Sequence, residues 1–392
     1  MRLRLAKPIL RFLCCLIAFM PLAGCWSKEE LNDRAFVTLM TVNRTKEGLT
    51  ELSLGFFLPN RMTSGQGQTV SREKPFSMVN RTGRDLAEAF HSIQKDLSRK
   101  VTWGALKVII IGESYARSGI QPLLDFMLRV TDIRMNTLMY QIEGKALAVG
   151  SLTPIFERFP SEIIREYSHM DLLPGTTIKD LMYACYNHGD AFLPQLFLAP
   201  PQKSGDKQET GRWLGTKGSV LMKDSKQTAE FSPAQTRGIQ WVTNKVKNMS
   251  LTFNAPQNSK PISIRIARSK SRMFVESAND RILVHLHVAT AGDLLSIETS
   301  SDLSDVQVIR GLEQAAANQI KKDIQDVLKQ TVSQQADLFH VSDQIEWMYP
   351  KLWNRMQEHW RSYYAEHTEF QVEVEMKLQR FGALKQSIVE KE

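Results

Sequence analysis

The sequence predicts an α+β protein of more than one domain: a mixed α/β N-terminal half, then a C-terminal half in which an antiparallel sheet carries long amphipathic helices. Three observations predict it. The 392 residues exceed one ordinary domain, while 42% hydrophobic and 23% charged residues sit in the globular range. In the first half, short apolar runs alternate with segments of helical period. In the second, strand-like alternation brackets a long apolar stripe at close to 3.6-residue spacing.

The chain opens on a processing signal. Residues 1–11 are basic, and Phe12 to Ala23 follow as a short, mostly apolar run. Twelve helical residues span about 18 Å, short of the ~30 Å hydrocarbon core, which fits a signal peptide better than a membrane span. The run ends in Leu22-Ala23-Gly24-Cys25, which resembles the lipobox of bacterial lipoproteins. Small residues at 23 and 24 let an extended chain enter a peptidase groove, and the Cys25 sulfur is a nucleophile suited to a thioether-linked diacylglycerol. Residues 1–24 are therefore expected to leave as a signal peptide, and Cys25 to be the lipidation site. Two or more acyl chains, palmitate among them, give lasting attachment where one is marginal.

This removal also explains the charge. The net +8 falls to +4 without Arg2, Arg4, Lys7 and Arg11, because residues 1–24 contain no acid. The remaining bases are scattered among acids, so nucleic acid is not expected as a partner. Cysteine use agrees with export: Cys14 and Cys15 leave with the signal, Cys25 carries lipid, and Cys185 alone remains, so no internal disulfide can form. Cys185 is expected to be a small buried residue, although His188 lies one helical turn away.

The mature chain then divides into an N-terminal α/β region (25–200), a linker (201–213) and a C-terminal α+β region (214–392). Arg34 to Val42 and Glu51 to Leu58 read as strands, and residues 59–74 as a polar loop. Thr82 with Asp85 opens a helix whose apolar face is Leu86, Ala89, Phe90, Ile93 and Leu97. Leu106 to Ile111 reads as a strand buried on both faces. A helix over Tyr115 to Val130 is interrupted near Gly119 and Pro122, and Met135 to Ile142 is another strand. Helical patterns run from Gly144 to His188. Beyond the Pro- and Gly-rich 198–213 segment, Ser219 to Met222, Ile262 to Ile266 and Ile282 to Val288 are strand-like. Val308, Leu312, Ala316, Ile320, Ile324 and Val327 trace a long helix; a Trp-rich helix spans Asp343 to Tyr364; and Phe370 to Leu378 alternates as a half-buried strand.

A search for chemistry finds no catalytic set, no metal site and no cofactor motif. Gly112-Glu113-Ser114-Tyr115-Ala116 stands where a nucleophile elbow would, but Ala116 replaces the glycine that the strained turn needs. His285 and His287 share a strand face without a third ligand. Thr63-Ser64-Gly65-Gln66-Gly67 lacks the Gly-Lys-Ser/Thr of a phosphate loop. Trp347, Trp353 and Trp360 are expected to anchor their helix to the sheet.

Residues 25–33 after the lipobox, the Gly112-Glu113 segment of 111–134, the triplets 214–216 and 236–238, and 311–339 with its closing Ala336-Asp337-Leu338-Phe339 together resemble the Ger(x)C family, the lipoprotein C subunits of bacterial spore nutrient-germinant receptors. Cys25-Trp26-Ser27-Lys28-Glu29-Glu30-Leu31-Asn32-Asp33 is similar to the family's opening after the lipobox. Residues 111–134 resemble its Gly-Glu-x-x-Ala-Arg-x-Gly-Ile segment. Leu214-Gly215-Thr216 and Thr236-Arg237-Gly238 resemble its turn positions, and 311–339, ending Ala336-Asp337-Leu338-Phe339, its long helix and closing motif. The family usually has Glu at position 235 and Gly at position 340, where this chain has Gln and His. The resemblance implies a non-enzymatic subunit on the outer face of the spore inner membrane, held by its lipid beside multi-pass A and B receptor subunits. A small-molecule germinant is a candidate ligand. The alternative reading is a substrate-binding lipoprotein of a membrane transporter, which would expect two similar lobes around a cleft.

Overall fold

The computed structural model describes residues 30–58, 75–152, 157–170, 174–187, 189–199, 212–255, 260–278, 280–298 and 303–381. Among the described residues it is a mixed α/β structure of ten α-helices and two sheets. The first sheet holds β1 (Arg34–Arg44), β2 (Thr50–Phe57), β3 (Phe76–Gly83), β4 (Lys100–Thr102), β5 (Val108–Gly112), β6 (Leu138–Ile142), β7 (Ala191–Leu198), β8 (Leu214–Lys223) and β9 (Lys226–Phe231). Its order is β3-β2-β1-β5-β6-β7-β8-β9, with β4 beside the start of β1. The middle strands β1, β5, β6 and β7 run parallel, and antiparallel pairs flank them on both sides.

The predicted double burial of the 106–111 run is what the sheet needs. Ile109 and Ile111 face α1 (Leu86–Asp96), α2 (Glu113–Ser118) and α3 (Gln121–Arg129), whereas Val108 and Ile110 pack on the other side with Ile164 of α4 (Pro160–His169). A strand apolar at every position is the signature of a parallel sheet covered on both faces. The cap of α1 differs from expectation. Thr82 lies inside β3, opposite Glu51, and it is Asp85 whose Oδ1 accepts the Glu88 N–H at 2.8 Å. The expected break at Gly119 is real: Gly119 has φ +113, a conformation a side chain rarely adopts.

Strand β7 is absent from the sequence reading, and Pro194 is the reason. A proline inside an apolar run argues against a central strand. Here it is tolerated because β6 pairs with β7 only at Gln195 and Leu196, so Pro194 faces no donor requirement on that side. Residues 200–211 lie outside the described residues. On either side of them, β7 and β8 are antiparallel neighbours in one sheet, so the sheet continues across the expected linker.

The second sheet holds β10 (Ser250–Asn254), β11 (Pro261–Ala278), β12 (Arg281–Ile297) and β13 (Thr368–Arg380), in that order. The first two pairings are antiparallel; β13 joins β12 in parallel, after a helical crossover. The β11–β12 hairpin is far longer than the expected 262–266 and 282–288. Past Ile266 its outward residues are Arg268, Lys270 and Arg272 and its inward ones include Ser269 and Ser271, so polar residues on both faces hide the period of two. Between the sheets lie α6 (Pro233–Val242) and α7 (Val306–Ser333), whose stripe of Leu312, Ala316, Ile320, Ile324 and Val327 is buried as predicted. The expected single helix over 343–364 is three: α8 (Val341–Met348), α9 (Pro350–Met356) and α10 (Trp360–His367). Pro350 has no N–H to continue α8 and instead opens α9. Trp353 and Trp360 are buried, but Trp347 is 83% exposed and does not serve as the core anchor expected of it.

Helix α6 crosses α7 at Gly238, where an added Cβ would stand 2.3 Å from the Asp323 carbonyl oxygen. Arg237 beside it pairs with buried Asp323 at 2.9 Å. Gly238→Ala is expected to push the helices apart and cost about 1–3 kcal/mol, despite the better helix propensity of alanine. A chemical-denaturation midpoint equal to wild type would contradict this packing.

Candidate functional site

The most elaborate polar arrangement lies where the two halves meet. Asp190 ends the connection from α5 (Ile178–Tyr186) to β7. Asp224 and Ser225 form the two-residue turn of the β8–β9 hairpin, both at positive φ (+48 and +61), as such tight hairpins require. Asp337 follows α7, and Arg361 sits in the first turn of α10. The Arg361 guanidinium forks onto Asp190 at 2.7 and 3.0 Å and reaches Asp224 at 2.6 Å. The Asp190 side chain is fully buried. Burial pulls the Arg361 guanidinium down, but its bonds to Asp190 and Asp224 outweigh this, and its pKa lies above the ordinary value.

Asp337 completes the junction. Its N–H donates to Asp190 Oδ2 at 3.0 Å, and its carbonyl accepts the Asp190 N–H at 3.0 Å. Its carboxylate accepts the N–H groups of Val341 and Ser342, at 2.8 Å each, and the Trp360 indole N–H at 3.1 Å. Burial drives the Asp337 carboxyl up, against the pull of those backbone donors. The residue therefore caps α8, ties down α10 and pins β7 at once. This is the physical content of the Ala336-Asp337-Leu338-Phe339 motif, in which Ala336, Leu338 and Phe339 are all core. His340, where the family usually has glycine, takes φ +55, a conformation glycine adopts without strain. Its ring packs edge-on against Tyr183 at 5.1 Å.

A cleft of about 600 Å3 opens over this junction, lined by Cys185, Ser225, Glu358, His359 and Arg361 among others. Cys185 is exposed there, not buried as expected, because α5 buries Ile178, Leu181, Met182 and Ala184 instead. Its sulfur stands 3.1 Å from Ser225 Oγ. His188 lies outside the described residues, as do Cys25 and the glycine-rich 63–67 run.

The other sequence candidates do not converge on chemistry. The Ser114 hydroxyl donates to the Arg44 carbonyl at 3.0 Å and accepts the Arg44 N–H at 3.2 Å, so it bridges backbone. Gly112 before it is required by packing, since a Cβ would fall 2.0 Å from Asn43 Oδ1, which accepts the Ala146 N–H. Glu113 pairs with Arg117, and Ala116 and Ile120 are buried, so the whole Gly-Glu-x-x-Ala-Arg-x-Gly-Ile segment reads as a fold element. His285 and His287 face different carboxylates, Glu276 on β11 and Glu375 on β13. Among the described residues, no three His, Cys, Asp or Glu side chains cluster as metal ligands would. The two triplets expected at turns lie in regular structure: 214–216 starts β8, with Gly215 opposite Phe197, and 236–238 lies in α6. Gln235 keeps the role a glutamate would have in the capping box: its Oε1 accepts the Ser232 N–H at 2.9 Å.

Sequence reasoning missed Asp190, Asp224 and Arg361. Arg361 lies 171 residues from Asp190, and no local spacing links them.

Comparison with known proteins places this architecture. The family described as spore germination protein N-terminal domain matches residues 27–198, and that described as spore germination B3/GerAC-like, C-terminal, matches 217–382. Spore germination protein KC of Bacillus subtilis (strain 168) is 23% identical over 388 residues, covering 94% of each chain. Spore germination protein B3 of the same organism is 22% identical over 390 residues, covering 96% of this chain and 99% of its own. The crystal structure of the GerBC protein superposes with a TM-score of 0.56 at 17% identity, over 86% of this chain and 96% of that one, so the fold is shared. With both of its halves matched in order over most of its length, this chain belongs to the GerAC family of spore germination proteins.

Proposed function

We propose that this chain is a lipid-anchored subunit of a spore germinant receptor, acting in germination by binding multi-pass receptor subunits and not by turnover. The observation that carries the reading is the position of the family match, which begins at residue 27, two residues after the lipobox cysteine. The two family matches together thus cover most of the chain from residue 27 to residue 382. Among the described residues no helix is long and apolar enough to cross a membrane, and a lipid on Cys25 would supply the attachment in this reading. The bonds of Ser114 to backbone, and the separate carboxylate partners of His285 and His287, support a binding role over catalysis. A transporter's substrate-binding lipoprotein would show two like lobes; here one sheet runs across both halves.

The anchor has a direct test. Mass spectrometry of the mature protein from membranes is expected to show diacylglycerol on Cys25, and Cys25→Ala is expected to leave the chain unlipidated and largely released. An unmodified Cys25 in mature wild-type protein would end this reading.

A further inference from the structure

Exposed large apolar residues occur at several places on the surface, Leu49, Phe274, Leu295 and Val306 among them, but the two with the highest exposure besides Leu31, Trp347 and Tyr186, fall with Leu31 at one end of the first sheet. β1, β5, β6 and β7 are parallel, so all four begin at one edge of the sheet. The described chain enters at that edge, with Leu31 74% exposed just before β1. Leu128 near the end of α3 and Met135 just before β6 are exposed there as well. Helix α5 lies along the same edge: the Ile178 N–H bonds to the Thr137 carbonyl and the Lys179 N–H to that of Met135, both just before β6. It presents Tyr183 and Tyr186, the latter 73% exposed. The Tyr183 hydroxyl bonds Asp343 at 2.5 Å, which brings the start of α8 to this edge, and Trp347 follows Asp343 by one helical turn on the same side.

We propose that this edge rests on the lipid bilayer, with Trp347, Tyr186 and Leu31 in the headgroup region. The inference rests on the Cys25 anchor of the preceding section and adds which face of the protein that anchor turns to the membrane. Geometry ties the two together. From Cys25 to Glu30 the chain can reach at most roughly 17 Å. β1 and β7 lie three strand spacings apart, about 14 Å. An anchor on so short a tether confines this edge, and not the opposite one, to within reach of the acyl chains. Chemistry agrees: tryptophan and tyrosine, apolar in body and polar at one end, are the side chains that favour the membrane–water boundary. The large exposure of Trp347, otherwise unfavourable for an indole, is accounted for by the same contact.

The test uses the full lipidated chain in vesicles of phosphatidylglycerol and phosphatidylethanolamine. With Cys185→Ser removing the exposed thiol, nitroxide labels are placed at Tyr186→Cys, at Trp347→Cys and, at the far edge of the sheet, at Leu49→Cys. Labels at 186 and 347 are expected to shift towards greater collision with oxygen and less with a water-soluble nickel chelate, and the label at 49 to show no shift. Equal, fully aqueous accessibility at all three sites in protein that floats with the vesicles would overturn the proposed edge while leaving the anchor intact. Protein that does not float and carries no lipid would overturn the anchor, and this inference with it.

Discussion

Arg361→Ala is expected to cost about 3–5 kcal/mol of stability, because it strands the buried Asp190 carboxylate without its partner. The loss should exceed that of any exposed arginine. Asp190 is fully buried and takes both of its guanidinium bonds from Arg361, which also holds the Asp224 turn. Arg361→Lys keeps the charge but not the planar fork, so it should recover only part of the loss. Thermal unfolding of the mature protein checks the series. A change under ~0.5 kcal/mol for Arg361→Ala, as at an ordinary surface site, would contradict the assignment of this pair as the tie between the two halves.

Trp353→Ala is the second large effect. The ring is 3% exposed in a cluster with Val284, Ile345 and Met356, and meets Trp360 edge-on at 5.5 Å. Deleting it should cost about 3–5 kcal/mol through lost burial and the cavity left behind. Trp347→Ala provides the internal comparison: exposed and only six positions away, it should change stability by less than ~0.5 kcal/mol. If Trp353→Ala kept the wild-type melting temperature, its ring would not be part of the core.

What could be read in the sequence, and what could not, divides on whether the signal is local. The α7 stripe was legible because one apolar face repeats from Val308 to Val327 within a 28-residue helix. The doubly buried β5 was legible because its run is apolar without interruption. β7 was not, because Pro194 contradicts strand propensity and only its place in the sheet resolves the conflict. The three-way break of the Trp-rich segment was hidden because apolar spacing persists across Pro350. The Asp190–Arg361 junction was invisible for a different reason: Asp190, Asp224 and Asp337 come from three separate connections and Arg361 from the first turn of α10, and only the closed fold brings them together. Motif residues fared better than their assigned meaning. Gly112, Gly238 and Asp337 matter as the resemblance implies, yet each does so through packing or capping.

The central claim is that the chain works by holding a membrane partner in place. Confinement by a lipid raises the effective concentration towards a neighbouring membrane protein without any new contact, so a modest surface is sufficient. Affinity capture from spore membranes, comparing wild type with Cys25→Ala at equal expression, tests this most directly. The account predicts co-capture of a multi-pass receptor subunit with the wild-type chain and its loss with Cys25→Ala. Wild-type chain captured from solubilised membranes without any multi-pass partner would contradict it.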